Sequence, residues 1–146
     1  MKKIALLVLL LSYTFAVAQD QYKYMIIPSK FPFFKEENKY NLNSVTKYFF
    51  EKEGFQVFYD TETLPDELAK NRCLALYANA IENNTLFLTK ITFEIKDCHN
   101  ILILTSNQGT SREKDLKTAN TLAFREALSS MSSKLKFKTD KQKTIY

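Results

Sequence analysis

The sequence has few of the residues from which common active sites are built. It contains one histidine and two glycines among 146 residues. A single histidine excludes HExxH and every other metal site that needs a histidine pair. Two glycines are too few for a Walker A loop or a G-x-G-x-x-G loop, and no G-x-S-x-G motif occurs. The chain therefore lacks the signatures of zinc peptidases, nucleotide-binding enzymes and α/β-hydrolases.

Residues that form linkers are scarce as well. Three prolines and two glycines leave no Pro- or Gly-rich linker, and the chain has no internal repeat. Twelve phenylalanines and eight tyrosines are typical of a compact core. Residues 19–134 are therefore predicted to form one globular domain.

The amino-terminal segment has the pattern of a secretory signal peptide. Two lysines precede an apolar run over Ile4–Leu11, and a small-x-small site follows, which predicts a signal peptide over residues 1–18 with cleavage between Ala18 and Gln19. The apolar run is shorter than the roughly 20 residues that span a bilayer. We therefore expect a periplasmic or secreted protein with no transmembrane segment after cleavage.

Lysines accumulate near the other end of the chain. Residues 135–146 contain four lysines and one acidic residue, Asp140, and are predicted to form a basic, flexible tail. Such a tail suits an anionic partner, but a solvated terminus explains it as well and is the preferred interpretation. Nucleic acid is not expected as a partner, because the export signal directs the protein away from it.

Apolar periodicity predicts a β-α-β unit in the first half of the domain. The strands are Gln21–Ile27 and Phe55–Asp60, and the helix between them is Asn41–Glu53. Pro28 ends the first strand because it cannot donate a hydrogen bond to a neighbouring strand. Gly54 is placed to end the helix in the left-handed conformation.

The next segment is less uniform. Pro65 and the acidic residues after it predict a short helix that ends near Asn71. Leu74–Ile81 fits either a helix or a strand, because its small apolar residues have helical propensity but also alternate. The polar turn Glu82–Thr85 directly precedes a hairpin, and for that reason we interpret Leu74–Ile81 as a strand.

Leu86–Thr105 is the clearest structural signal in the chain. Its first half alternates apolar and polar residues up to Lys96, as a half-buried strand requires. Asp97–Asn100 is a turn, and Ile101–Thr105 is predicted to be a more deeply buried strand because both of its faces are apolar. The hairpin is interpreted as scaffold rather than as a binding site.

The last predicted element is a long helix. Thr110 and Glu113 have the spacing of a capping box, which predicts a helix over Ser111–Lys134 with an alanine-rich stripe that lets it lie close to a sheet. The element order is β-α-β-(short α)-β-β-β-α. We therefore predict an α/β fold, an α+β sandwich with helices packed on a mixed sheet of about five strands.

Cys73 and Cys98 are the two cysteines of the chain, and such a pair in an exported protein indicates a disulfide. However, a hairpin turn at residues 82–85 would place Cys73 opposite Glu94, and Cys98 would then lie about 13 Å further along the strand. A disulfide and two unpaired thiols therefore both remain open. A metal site of these cysteines and His99 lacks a fourth ligand and the usual spacing, so no metal or cofactor is predicted.

An aromatic loop is the candidate interaction surface. Phe31, Phe33 and Phe34 lie in a proline-containing loop, and Tyr40 follows. These rings either form an exposed contact surface or fold over the open end of the core. The second interpretation is preferred because large exposed apolar patches are uncommon.

Two resemblances add to this interpretation. The mature chain resembles a group of small uncharacterised exported proteins of flavobacterial type, in the phrases YKYMIIPSKFPFFKEENKYNLNSVTKYFFEKEGFQVFYD, NRCLALYANA, LTKITFEIKDC and SNQGTSREKD. More distantly, the element order is similar to that of envelope domains of the TolB amino-terminal, curli-secretion CsgG and penicillin-binding-protein-activator type. Pro28, Gly54-Phe55 and Asp97 occupy the places of their short motifs. The resemblance implies a non-enzymatic, protein-binding envelope module.

The leading functional hypothesis is an exported, non-catalytic module that binds another envelope protein. The alternative is a small-ligand or glycan-binding protein that uses Phe31–Phe34 together with Tyr40 and Tyr59. A cryptic hydrolase comes third, because its base would be His99 in a hairpin turn, which is a poor place to position a base.

Overall fold

The computed structural model of the chain describes residues 22–132 and residue 134. The predicted signal peptide, its cleavage site between Ala18 and Gln19 and the predicted basic tail over residues 135–146 lie outside the described residues. Among the helices of the described part, none is both long enough and apolar enough to cross a bilayer.

The described residues form six strands and three α-helices. In chain order they are β1 (Tyr24–Ile27), a 3₁₀ turn (Lys39–Asn41), α1 (Leu42–Lys52), β2 (Gln56–Tyr59), α2 (Asp66–Lys70), a second 3₁₀ turn (Arg72–Leu74), β3 (Ala75–Glu82), β4 (Thr89–Lys96), β5 (Leu102–Thr105), β6 (Gly109–Ser111) and α3 (Leu116–Ser129). Gly54 has φ of 101° directly after α1, so the predicted left-handed end of this helix is confirmed.

The strands form one mixed sheet in the order β2-β1-β3-β4-β5, and β6 also pairs with β4. β1 is parallel to both β2 and β3, whereas β4 is antiparallel to both of its neighbours, β3 and β5. A β-α-β unit therefore leads into an antiparallel meander, as the element order predicts. The predicted α+β fold with helices on a mixed sheet is confirmed.

The main core lies between one face of the sheet and the helices α1 and α3. Alternate residues of β4 and β1 point into it, and α3 adds its alanine-rich stripe. The buried members of these three elements are Met25, Ile27, Ile91, Phe93, Ile95, Ala123, Phe124, Ala127 and Leu128. Removal of these apolar side chains from water is thus the main interaction that stabilises β1, β4 and α3 in the fold.

A smaller cluster covers part of the opposite face of the sheet. Leu68 of α2 is fully buried against Tyr24, Ile26 and Ala75. The Tyr24 hydroxyl donates to Glu67 Oε2 at 2.8 Å. This hydrogen bond, with Lys23 adding to it, lowers the pKa of Glu67, and the same bond raises the pKa of Tyr24. α2 is therefore tied to β1 by packing and by a hydrogen bond.

The Tyr24–Glu67 pair should make stability depend on pH at both extremes. The ionised carboxylate is favoured in the folded state, so its contribution is present above the ordinary glutamate pKa and is lost as pH falls through the lowered value. The neutral phenol is favoured as well, so its contribution is lost as pH rises through the raised tyrosine pKa. We expect Glu67→Gln to weaken both dependences, measured as urea midpoints across pH. Asp66→Asn in the same helical turn is the matched control, and an equal change there would contradict the assignment.

The predicted burial of β5 and the predicted start of the last helix are wrong. Ile101, Leu102 and Ile103 are 58%, 50% and 46% exposed, although this strand was expected to be deeply buried. β5 is the last strand in the sheet order of the described residues. A segment of apolar residues on both faces of a strand does not show by itself whether another element covers that strand. The segment around β5 therefore leaves apolar side chains in water.

The second error concerns the start of the last helix. α3 begins at Leu116, where the Asp115 side chain accepts from the Thr118 backbone N–H at 3.0 Å. The predicted capping box at Thr110 and Glu113 is not used, because Gly109–Ser111 pairs with β4 as a strand instead. Long-range strand pairing thus prevails over the local capping pattern.

Candidate functional site

The two cysteines form a disulfide, which confirms that prediction. Cys73 follows α2 and Cys98 lies in the turn after β4, with their Cα atoms 4.9 Å apart. The distance that argued against a disulfide assumed a hairpin turn at residues 82–85. The observed turn lies further along the chain, at Leu86 and Phe87. Tyr77 faces Lys96 and Glu82 faces Ile91, so the register brings the two ends of the hairpin level.

The disulfide also removes the one group of potential metal ligands in the described residues. Ligand atoms of Cys73, Cys98 and His99 lie within 4.8 Å of one another. The two sulfur atoms are bonded to each other, however, and metal binding requires thiolates. This arrangement is therefore a covalent link in the scaffold.

His99 lies in a turn that is fully explained by local hydrogen bonds. Asp97 Oδ1 accepts from the backbone N–H groups of His99 at 2.8 Å and of Ile101 at 2.9 Å. Asn100 adopts φ of 63°, which asparagine tolerates better than most residues. The His99 side chain is exposed, and the neighbouring interactions are those of an Asx turn.

The predicted aromatic surface is divided by the structure. Phe31 is fully buried, and its ring packs edge-on against Phe93 and Phe124 with centroids 6.1 Å and 5.1 Å apart. Phe33 and Phe34 are half-buried against the same core. Phe31 therefore belongs to the core and cannot be part of an interaction surface.

Tyr40 is also half-buried and continues this aromatic group. Its ring lies edge-on to Phe34 at 5.9 Å, and the Lys39 ammonium lies 5.0 Å from its centroid. The edges of Phe33, Phe34 and Tyr40 that remain accessible are small, because each ring also packs against the core. A contact role for these three residues stays a prediction.

The largest exposure of apolar side chains occurs at the end of the β3–β4 hairpin. Leu86 is 95% exposed and Phe87 is 86% exposed. The Thr85 backbone N–H donates to the Leu88 carbonyl at 2.8 Å, which places Leu86 and Phe87 at the turn. We call these two residues the hairpin tip.

The hairpin tip is held by an ordered base. The Asn83 backbone N–H donates to the Lys90 carbonyl at 3.0 Å, and the Lys90 N–H donates to Asn84 Oδ1 at 2.8 Å. Partial burial raises the pKa of Glu82, against a hydrogen bond from Asn84 that lowers it. Because the backbone at its base is fixed by these bonds, ordering of the tip's backbone costs little on binding.

A second accessible feature is a cleft on the sheet face opposite the main core. Its volume is about 490 Å³, and it is lined by Tyr77, Asn79 and Ile81 of β3, by Glu94 and Lys96 of β4, and by the turn that contains Cys98 and Asn100. Lys96 Nζ lies 3.7 Å from Glu94 Oε2. The cleft thus combines an aromatic ring with several polar groups.

The hairpin tip was missed because the turn was placed at residues 82–85. That placement put Phe87 inside a strand, where alternation with Ile91 and Phe93 appeared regular. The disulfide was the signal that identifies the correct turn. If Cys73 and Cys98 are required to lie level, the centre of the hairpin moves to Thr85 and Leu86, one residue from the observed centre at Leu86 and Phe87.

Comparison with known proteins identifies no relative by sequence. No protein-family model matches the chain, and no curated protein matches it. Among solved structures, it is similar to the PelC dodecamer of Paraburkholderia phytofirmans, at TM-score 0.45 and 12% identity over 77% of this chain and 88% of that chain. A PelC variant in another crystal form gives TM-score 0.45 and 15% identity with the same coverage. Likeness at this level is confined to the general course of the chain, and no conclusion on function rests on it.

Proposed function

We propose that the protein is an exported, non-catalytic module that binds a protein of the cell envelope through the hairpin tip. The observation that carries this proposal is the exposure of Leu86 at 95% and Phe87 at 86% on a hydrogen-bonded turn. Turns are normally built from Gly, Asn, Asp, Pro or Ser. Two large apolar residues at this position are unfavourable in water and suit insertion into an apolar pocket of a partner.

A protein pocket fits the tip better than a lipid surface. In the segment Glu82–Lys90, the one acidic residue and the one basic residue are those at its two ends. Membrane-binding elements usually join apolar residues to several lysines or arginines, which are attracted to anionic lipids. The neutral flanks of Leu86 and Phe87 provide no such attraction. The partner is therefore expected to be a protein.

The causes of the shifted pKa values support the proposal that the protein is not catalytic. The shifted pKa values of Tyr24 and Glu67 arise from their mutual hydrogen bond. That of Asp115 is lowered by its hydrogen bonds to Thr118 in a helix cap. These are structural roles, and within residues 22–132 they do not converge with a nucleophile in one cleft, as an active site requires.

Export is supported by the disulfide between Cys73 and Cys98. Such bonds form and persist in oxidising compartments and are rare in the reducing cytosol. Together with the signal-peptide pattern of residues 1–18, this favours a periplasmic or secreted location.

Glycan binding is the second candidate function, but the candidate site is a cleft and not the aromatic loop. The original site required Phe31, which is buried. The cleft with Tyr77, Asn79 and Lys96 is instead the concave surface that carries an aromatic ring and polar groups. A glycan or small ligand would bind there, away from the hairpin tip.

Capture of a partner from envelope extract tests the leading proposal. Leu86→Ser combined with Phe87→Ser should reduce capture at least about tenfold, because buried apolar anchors dominate such interfaces. Tyr48→Ser is the matched control, since Tyr48 is 60% exposed on α1. The captured protein is then purified, and its affinity for the unmodified protein and for both variants is measured.

Two results would contradict tip binding to a protein. Capture that survives the double substitution would remove the tip from the interface. Tip-dependent binding to vesicles of anionic phospholipid, without a protein partner, would assign the tip to the membrane. Glycan binding that is lost in Lys96→Ala, together with no tip-dependent capture of a protein, would favour the second candidate.

A further inference from the structure

Within the part of the chain that the structure describes, no strand pairs with the outer edge of β5. β5 pairs with β4, and it ends the sheet order of the described residues. An unpaired strand edge can pair with a strand of another chain, and natural proteins usually prevent this with lysine, proline or a covering element. From Asn100 to Ser111 the sequence has neither a charged residue nor a proline.

The side chains beside this edge are apolar and accessible. Ile101, Leu102 and Ile103 are between 46% and 58% exposed. Leu122 of α3 is 45% exposed and lies one helical turn before Glu126, which accepts from the β6 backbone N–H of Thr110 at 3.4 Å. Residues four apart share a helix face, so Leu122 lies on the side of α3 that borders β6. β5 therefore presents apolar side chains to solvent, and Leu122 adds an exposed apolar side chain beside β6.

The opposite edge of the sheet is protected. The backbone N–H of Tyr59 in β2 donates to Glu62 Oε1 at 3.2 Å, so this donor is already used. Lys47 Nζ lies 3.8 Å from the same carboxylate oxygen and 5.0 Å from the centre of the Tyr59 ring. Charge and a side-chain hydrogen bond thus hinder strand addition at β2.

The difference between the uncharged β5 edge and the protected β2 edge indicates what binds at β5. We propose that β5 pairs antiparallel with β5 of a second copy of the chain, about a two-fold axis. An uncharged strand meets itself without repulsion between like charges, and Leu102 and Ile103 of each copy then form apolar cross-strand pairs. Because Glu62 and Lys47 hinder strand addition at β2, β5 is expected to pair with β5 rather than with β2 of another copy, so the contact closes as a dimer and does not extend into a filament.

The dimer is expected to be weak. Ile95 faces Leu104 and Lys96 faces Leu102, so Ile103 is an additional residue in a bulge. A bulge interrupts regular pairing, and the shared edge is short. Its contact area is smaller than the roughly 800 Å² per partner of a standard interface. The two copies should therefore separate on dilution. Such a dimer presents two hairpin tips, which increases the apparent affinity for a multivalent partner.

Sedimentation of the chain purified from the envelope with its disulfide intact tests this proposal. Between about 1 and 100 µM the weight-average mass should rise toward twice the monomer mass. Ile103→Lys should weaken association at least about tenfold, because it places a charged side chain against the apolar Leu102 of the other copy in both cross-strand pairs. Tyr48→Lys on α1 is the matched control and should leave association unchanged.

A measurement without any substitution guards against misfolding of the Ile103→Lys variant. Amide hydrogen exchange of residues 101–105 should slow as the concentration of the unmodified protein rises, because the dimer covers this edge. A protein that stays monomeric and shows constant exchange would overturn the proposal. A ladder of higher oligomers would overturn the two-fold closure, and a dimer that persists in Ile103→Lys with unchanged exchange would place the interface elsewhere. Partner capture through Leu86 and Phe87 is independent of all these outcomes.

Discussion

Gly109→Ala is expected to destabilise the fold by more than about 3 kcal/mol, since overpacking against backbone costs at least as much as the severe cases of core overpacking. A Cβ atom at this position would overlap the carbonyl oxygen of Ala123, and it would lie 2.7 Å from the carbonyl carbon of Ala123 and 3.0 Å from the backbone nitrogen of Ala127. Backbone atoms of a helix cannot rotate away as a side chain can. α3 would have to move off β6.

Thermal and urea unfolding measure this effect. A loss of this size is a large part of the roughly 5–15 kcal/mol that a domain of this kind has in total. Gly54→Ala is the matched control, because it makes the same chemical change at an exposed position with φ of 101°. We expect a smaller loss there, about 1 kcal/mol, from backbone strain alone. A Gly109→Ala variant as stable as the Gly54→Ala variant would show that α3 does not lie against β6.

Removal of the disulfide is the second large expected effect. The bond joins residues separated by 25 positions, and loop-closure entropy for a loop of this length corresponds to about 3–4 kcal/mol. We expect Cys73→Ala combined with Cys98→Ala to lower the free energy of unfolding by about that amount. The reason is the greater freedom of the unfolded chain, so the folded structure should change little.

Reduction of the unmodified protein provides the internal control. Its stability in reductant should equal that of the double alanine variant, and reductant should leave the variant unaffected. A loss below about 0.5 kcal/mol in both measurements would contradict the loop-closure account. Unequal losses would indicate that alanine disturbs the packing around Cys73 or Cys98 beyond removal of the bond.

Local patterns were sufficient for the fold class but not for the turn of the hairpin. Alternation assigns residues to the two faces of a strand, and a shift of the pairing register by an even number of residues preserves that assignment. Both the predicted turn and the observed turn at Leu86 and Phe87 therefore satisfy the pattern. A distance between remote residues was needed to choose between them, and the Cys73–Cys98 bond provides it.

Exposure was the other property that local patterns did not determine. Ile101–Thr105 is apolar on both faces, and its burial depends on whether another element covers it. β5 is the last strand in the sheet order of the described residues. The exposure of Ile101, Leu102 and Ile103 is thus a consequence of the tertiary arrangement. The buried position of Phe31, by contrast, agrees with the preferred interpretation of the aromatic loop as a cover for the core.

The disulfide also gives the hairpin a covalent topology with a practical consequence. Cys73 and Cys98 join the two open ends of β3 and β4, so the backbone from one cysteine to the other forms a closed ring with the sulfur bridge. An endopeptidase that cuts the exposed peptide bond between Leu86 and Phe87 would open this ring once, and the two strands would stay linked through sulfur. A nicked molecule can thus keep its sheet intact, which would protect the fold against a single cut if the protein is exported as proposed.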